Sequence, residues 1–132
     1  KYSYLLEGEV SPHLASILND IKLDIKKVKI VVTVPCDNVE EIRNVICDAG
    51  AGVIGEYSYC STVSNCIGTF KPSISANPYI GERNKLQVVE EEKLEVVCDI
   101  DIAKKVIEKL KEVHPYEEPA IDIIPLINEV DL

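Results

Sequence analysis

Apolar side chains along this chain recur at helical spacing in three stretches and at strand-like spacing between them. Leu14, Ile17, Leu18, Ile21 and Ile25 repeat every three or four residues behind Ser11-Pro12, an N-cap followed by a proline suited to the first helical position. They predict a helix from Pro12 to Lys26, after a short extended lead-in from Lys1 to Val10. Lys22, Lys26 and Lys27 fall near its C-terminal end, where the helix dipole favours positive charge. Val28 to Val34 is a β-branched run with apolar residues on both parities, which predicts a strand covered on both faces and ended by Pro35. Val39, Ile42, Val45 and Ile46 form the stripe of a second helix. Asp37 or Asn38 would cap it, Glu40 and Glu41 are placed for a capping box, and Gly50 or Gly52 would stop it.

Val53 to Ser61 predicts the second strand, with Tyr57 and Tyr59 on one face and a turn near Ser64-Asn65 returning the chain through Ile67 to Phe70. Lys71 to Asn84 is rich in Ser, Pro, Gly and Asn and predicts a loop. Leu86 to Val89 predicts a short strand, and Leu94, Val96 and Cys98 alternate as a third main one. Ile102, Val106, Leu110 and Val113 mark a third helix, opened by Asp99 or Asp101 and ended by Pro115; Ala120 to Ile127 closes the chain as a strand. Setting the first helix aside, the order is two strand–helix–strand halves joined by a hairpin. That order predicts an α+β, ferredoxin-like split βαβ sandwich over residues 28–132, behind an N-terminal extension of residues 1–27.

At 132 residues there is room for one ordinary domain with a real core. The net charge of −9 argues against a nucleic-acid partner and against an anionic membrane surface, since both select clustered Lys and Arg. No apolar run approaches the ~18–20 residues of a transmembrane helix, and no signal peptide opens the chain. Lys1 and the absence of Met imply a start that is not the native one. The cysteines, Cys36, Cys47, Cys60, Cys66 and Cys98, are odd in number and lack zinc-type pairing, which reads as reduced thiols and a cytoplasmic setting. Cys47 and Cys98 fall on apolar faces and are expected to be buried.

Chemistry concentrates between His114 and Leu126, where Pro115 and Pro119 stiffen a turn that carries a His, a Tyr and two carboxylates. Cys60, His114, Glu117 and Glu118 are the candidate ligands for a divalent metal such as Zn²⁺ or Cu²⁺. The plainer alternative has Cys60 packed, His114 bonded to backbone and both carboxylates solvated. A hydrolase built on Cys60 and His114 needs an orienting group and an oxyanion hole that the sequence does not supply. Cys60 and Cys66 lack redox-motif spacing. Gly50-x-Gly52-x-x-Gly55 runs from helix into strand, the reverse of a dinucleotide fingerprint, so its glycines read as a helix stop and a turn. The run Glu90-Glu91-Glu92 reads as a solvated approach to a strand.

Three segments carry a family resemblance. Ala49–Ser61 (AGAGVIGEYSYCS), Gly68–Pro72 with Pro78–Gly81, and His114–Ala120 (HPYEEPA) resemble the domain inserted in the middle of Nif-three-like proteins. His114–Ala120 also resembles the His-Pro-Tyr corner of the divalent-cation-tolerance protein CutA. The motif residues are Gly52, Gly55, Tyr57, Gly68, Phe70, Pro72, Gly81, Pro115, Tyr116 and Pro119. The chain departs from the family pattern at Thr62, usually aromatic, and at Asn65 or Cys66 and at Asn84, where glycines are usual. The resemblance implies a ferredoxin-like fold akin to CutA and PII proteins, which typically form trimers joined sheet edge to sheet edge. Full-length Nif-three-like proteins hold a dinuclear metal centre in a surrounding two-part domain. With only His13 and His114 present, the resemblance implies a stand-alone or excised insert. The expected function is a non-enzymatic regulatory or assembly domain that self-associates and takes a small ligand or divalent metal in clefts between subunits. The competing expectation is a metal-handling protein or hydrolase using Cys60 and His114. A third is a scaffold that docks a protein partner on the Leu14/Ile17/Ile21 face.

Overall fold

The computed structural model describes residues 24–132. Strand β1 (Lys27–Pro35) leads through a 3-10 turn (Cys36–Asn38) into helix α1 (Val39–Asp48); β2 (Thr62–Phe70) and β3 (Gln87–Asp99) form a hairpin. Helix α2 (Ile100–Val113) and β4 (Ile121–Leu126) follow, then a short 3-10 turn (Glu129–Asp131). The four strands are ordered β2-β3-β1-β4, and every neighbouring pair is antiparallel. This is the ferredoxin-like topology that the alternation of elements predicts. Nearly all of the expected first helix lies outside the described residues, and Asp24–Lys26, its last turn, is not helical.

Val28, Ile30, Val32 and Val34 of β1 and Leu94, Val96 and Cys98 of β3 share one face, buried against Ile42, Ile46 and Cys47 of α1 and Val106 and Leu110 of α2. Each such aliphatic contributes about 1.5–3 kcal/mol by leaving water, so this layer carries the fold. The other face of β1 alternates to half-buried, so the expected cover on both faces is realised on one only, among the described residues. Helix α1 ends in a Schellman turn: Gly50 N–H bonds Cys47 O at 3.0 Å and Ala51 N–H bonds Ile46 O at 3.1 Å. Gly50 sits at φ +111°, where a side chain is strained. Neither expected N-cap at Asp37 or Asn38 forms a side-chain bond, and the 3-10 turn leads into α1 instead. Asp99 precedes α2 without capping it, because its carboxylate meets Lys27 Nζ at 2.6 Å across the β1–β3 ladder.

The hairpin departs most from expectation. Val53–Ser61 is not a strand: Gly52, Gly55 and Tyr59 all take positive φ, and Ile54 and Tyr57 exchange two 2.9 Å backbone bonds across a tight turn. Left-handed backbone at Gly55 and Tyr59 within the run, and at Gly52 just before it, breaks an extended stretch whatever its composition. Strand β2 therefore begins at Thr62, and Ser64-Asn65 lies mid-strand, paired with Lys93 and Glu92, rather than in a turn. The two short strands expected at Leu86–Val89 and Leu94–Cys98 are one strand of 13 residues. Its first residues, Gln87–Glu90, pair only with β2 and project beyond β1 as a two-stranded arm.

Candidate functional site

The corner after α2 is built by its prolines. Pro115 has no N–H to continue the helix, and His114 before it swings to extended backbone after donating the last helical bond to Leu110 O at 3.0 Å. The imidazole then folds inward. His114 Nε2 lies 2.9 Å from Thr33 O on β1, and Nδ1 accepts from the Tyr116 N–H at 3.1 Å. A carbonyl can only accept and an N–H can only donate, so the ring is the neutral tautomer protonated on Nε2. Burial holds its pKa below the usual histidine value, against the opposing pull of the Thr33 carbonyl and the Glu91 charge. Both nitrogens are thus committed, and no lone pair is left for a metal or a thiol.

Tyr116 reaches further, donating its hydroxyl to Glu91 Oε2 at 2.6 Å. Burial, the bond to Glu91 and its charge push the phenol well above its usual range, so it stays a donor. Glu91 is only 6% exposed, which corrects the reading of the acidic run as solvated. By register it shares the face of Cys66 and Gly68, opposite the helices. Gly68 makes this burial possible: a Cβ there would collide with Glu91 Oε1. On the helix side of the same run, Glu92 Oε2 is buried with no hydrogen-bond partner among the described residues.

The loop between β2 and β3 docks on this corner. Asn77 N–H donates to both Glu117 oxygens, at 3.0 and 3.3 Å, and the Tyr79 ring stands 6.2 Å from that of Tyr116. Arg83 Nε bonds Ala76 O at 2.6 Å and Asn84 N–H bonds Pro72 O at 2.5 Å, closing the loop on itself. Asn84, at φ +61°, fills a left-handed position where the family pattern has glycine, a conformation asparagine tolerates. Gly81, also left-handed, lies against the Gln87 side chain. Between loop and corner a cavity of about 350 Å³ remains, walled by Phe70, Pro72, Pro78, Ile80 and Tyr116, with Lys71, Glu117 and Glu118 around it.

Cys60 is elsewhere. Its N–H bonds Gly52 O at 2.8 Å, and Gly52 N–H bonds Val97 O at 2.8 Å near the far end of β3. His114 is anchored on Thr33, whose partner in β3 is Lys93. Four strand residues at ~3.3 Å each separate the two anchors by ~13 Å along β3. The structure therefore brings His114, Tyr116 and Glu117 together with the loop but leaves Cys60 apart. Among the described residues no three His, Cys, Asp or Glu side chains converge as metal ligands. Cys60 instead borders a hollow of about 180 Å³ with Lys29, Ile54 and Glu95. Nearby, Tyr57 is exposed and Tyr59 donates its hydroxyl to Asp48. Pro119 sits just ahead of β4. Sequence reasoning missed Glu91. The signal was there in Gly68, the small residue a strand needs where another side chain crosses it.

No protein-family model matches the chain. Among curated proteins it is 46% identical over 101 residues to the GTP cyclohydrolase 1 type 2 homolog of Halalkalibacterium halodurans, covering 76% of this chain and 27% of that protein. The Bacillus subtilis homolog of the same name is 46% identical over 98 residues, covering 74% of this chain and 26% of that protein. The chain thus spans about a quarter of the length of the relatives it matches. A Bacillus cereus protein related to NIF3 superposes with a TM-score of 0.69 at 39% identity, covering 81% of this chain and 27% of that one. The periplasmic divalent cation tolerance protein CutA of Archaeoglobus fulgidus superposes at 0.57 with 19% identity, covering 76% and 83% of the two chains, a likeness of fold alone. No helix among the described residues is long and apolar enough to cross a membrane. The chain is thus similar to one segment, about a quarter of the length, of the GTP cyclohydrolase 1 type 2 homologs and of a protein related to NIF3, and it has the CutA-like fold.

Proposed function

We propose that this segment is a non-enzymatic assembly domain that joins copies of itself through the outer edge of β2. One observation carries the reading. Among the described residues strand β2, Thr62–Phe70, is an edge strand of nine residues with no charged side chain and no proline, and most of its residues are exposed. Its ladder to β3 runs without a bulge. Soluble proteins blunt such edges with lysine, proline, bulges or brevity, because a bare row of N–H and C=O groups recruits another strand. None of those devices is present here. The trimeric habit implied by the CutA resemblance fits an edge of this kind, and the projecting arm with Ile67 and Val88 exposed adds apolar surface to it.

Such an assembly would place the hollow beside Cys60 at the start of β2, near the contact between copies. Cys60 and Glu95 there offer a thiol and a carboxylate, and a divalent metal in that cleft would need further donors from the neighbouring copy. A hydrolase using Cys60 with His114 has no support in the geometry, since the two stand apart and the imidazole is fully bonded. Light scattering on the full chain at micromolar concentration is expected to give a discrete closed oligomer. A clean monomer across that range would remove the proposal.

A further inference from the structure

We propose that the cavity between the Lys71–Asn84 loop and the His114–Pro119 corner binds a small organic cation, with a compact apolar body and one protonated amine. This reading does not depend on self-association, because every wall of the cavity comes from one chain.

The walls argue for an apolar body. Phe70, Pro72, Pro78, Ile80 and Tyr116 line a half-open cleft of about 350 Å³. That is near the lower end of the ~300–1,000 Å³ typical of small-molecule sites, enough for roughly ten heavy atoms. Leaving such walls facing water forfeits burial that a ligand of matching size would supply.

The cavity is also held open in advance. The loop is fixed to the corner by the Asn77–Glu117 bonds and the Tyr79–Tyr116 ring contact, and to itself by Arg83–Ala76 and Asn84–Pro72. Beneath it, Tyr116 is pinned by Glu91 and by the His114 ring. A ligand would find its walls in place and would not have to order the loop, which preserves affinity.

Charge selects the cation. Two carboxylates, Glu117 and Glu118, border the space against one ammonium, Lys71. Glu117 already accepts from Asn77, and among the described residues the Glu118 carboxylate makes no hydrogen bond, so Glu118 is the group available to a bound amine. The rings of Phe70 and Tyr116 add faces that attract a cation. An anionic ligand would meet two like charges for one opposite charge, in a chain whose net charge of −9 already repels it.

An NMR titration of the full chain with phenethylamine, phenylacetate and phenethyl alcohol tests this. Phenethylamine is expected to bind saturably with a dissociation constant of about 1 mM or tighter. Its shifts should be confined to residues 70–84 and 114–119, and the other two probes should bind at least about fivefold more weakly. Glu118→Gln should weaken the amine by up to about fivefold, the upper worth of an exposed charge pair, while the free protein's resonances away from residue 118 stay in place. Ile80→Trp, which fills the space, should abolish binding of all three probes. Equal binding of amine and carboxylate, no saturation by the amine, or shifts dispersed over the sheet would each overturn the proposal. So would a probe affinity that falls as the protein is concentrated, because the occupant competing for the cavity would then be a second copy of the chain.

Discussion

Strands β2 and β4 flank the same sheet, one beside β3 and the other beside β1, and the chain treats their outer edges in opposite ways. Strand β4 is six residues long, carries Asp122, and contains Pro125, which has no N–H to offer a neighbour. Those are devices that stop a strand from recruiting another. Strand β2 is half as long again and has none of them. An edge left bare opposite an edge so guarded is the reason the proposed assembly is placed on β2 and not on β4.

The largest expected effect comes from breaking that asymmetry. Ile67→Lys adds the residue natural edges use for protection, opposite Glu90, where the fold accepts it. It should weaken association by at least about tenfold, because like charges meet wherever β2 edges approach each other. Asp122→Lys on β4 is the matched control and should leave the oligomer intact. Sedimentation velocity of both variants decides the matter, and dissociation by the β4 change alone would reverse the assignment.

A second test asks how the two ends of the sheet are coupled. The corner that launches β4 is tied to the β2–β3 hairpin through Tyr116, Glu91 and Gly68. Gly68→Ala drives a methyl into the Glu91 carboxylate and should cost about 1–3 kcal/mol in urea denaturation. Tyr116→Phe leaves Glu91 buried without its donor and should cost about 1–2 kcal/mol. Because both changes disturb the same carboxylate, the double variant should lose less than the sum. Additive losses would mean that the hairpin and the corner are independent.

The fold was legible in the chain because it rests on signals that a sequence carries locally. Ile42 and Ile46 on one stripe, Val106 and Leu110 on another, and the alternation of β1 and β3 fix the layers and their order. The hairpin was not legible, because its outcome turns on backbone sign rather than side-chain type. Tyr57 and Tyr59 look like strand residues, yet Gly52, Gly55 and Tyr59 take left-handed backbone and close a turn. Ser64 and Asn65 look like turn residues, yet the ladder to β3 holds them extended. The His114 corner stands out in the sequence by its prolines and polar side chains. Its chemistry depends on which atoms face Thr33 and Glu91, contacts with residues distant in sequence that no local pattern encodes.

The mildest test uses pH to separate the two edges. Strand β2 has no acidic or basic side chain, so acidification leaves its own row of groups unchanged. The corner before β4 does titrate. The folded His114 imidazole is held below its ordinary value of 6.5 by burial, so between the two values the unfolded chain binds the extra proton and the folded chain resists it. Its contribution to stability is therefore complete above 6.5 and is lost as the pH falls through the depressed folded value. Protonation would place an N–H on Nδ1 directly against the N–H of Tyr116, which breaks the turn that sets up β4. Amide hydrogen exchange from pH 7 down to about 5 should show protection lost first at residues 114–121, with β2 keeping its protection relative to the rest of the sheet. His114→Ala should remove that pH dependence while lowering protection at the corner throughout. If β2 and β4 loosened together in the parent, the corner and the bare edge would be parts of one cooperative unit, and the contrast between them would lie in composition alone.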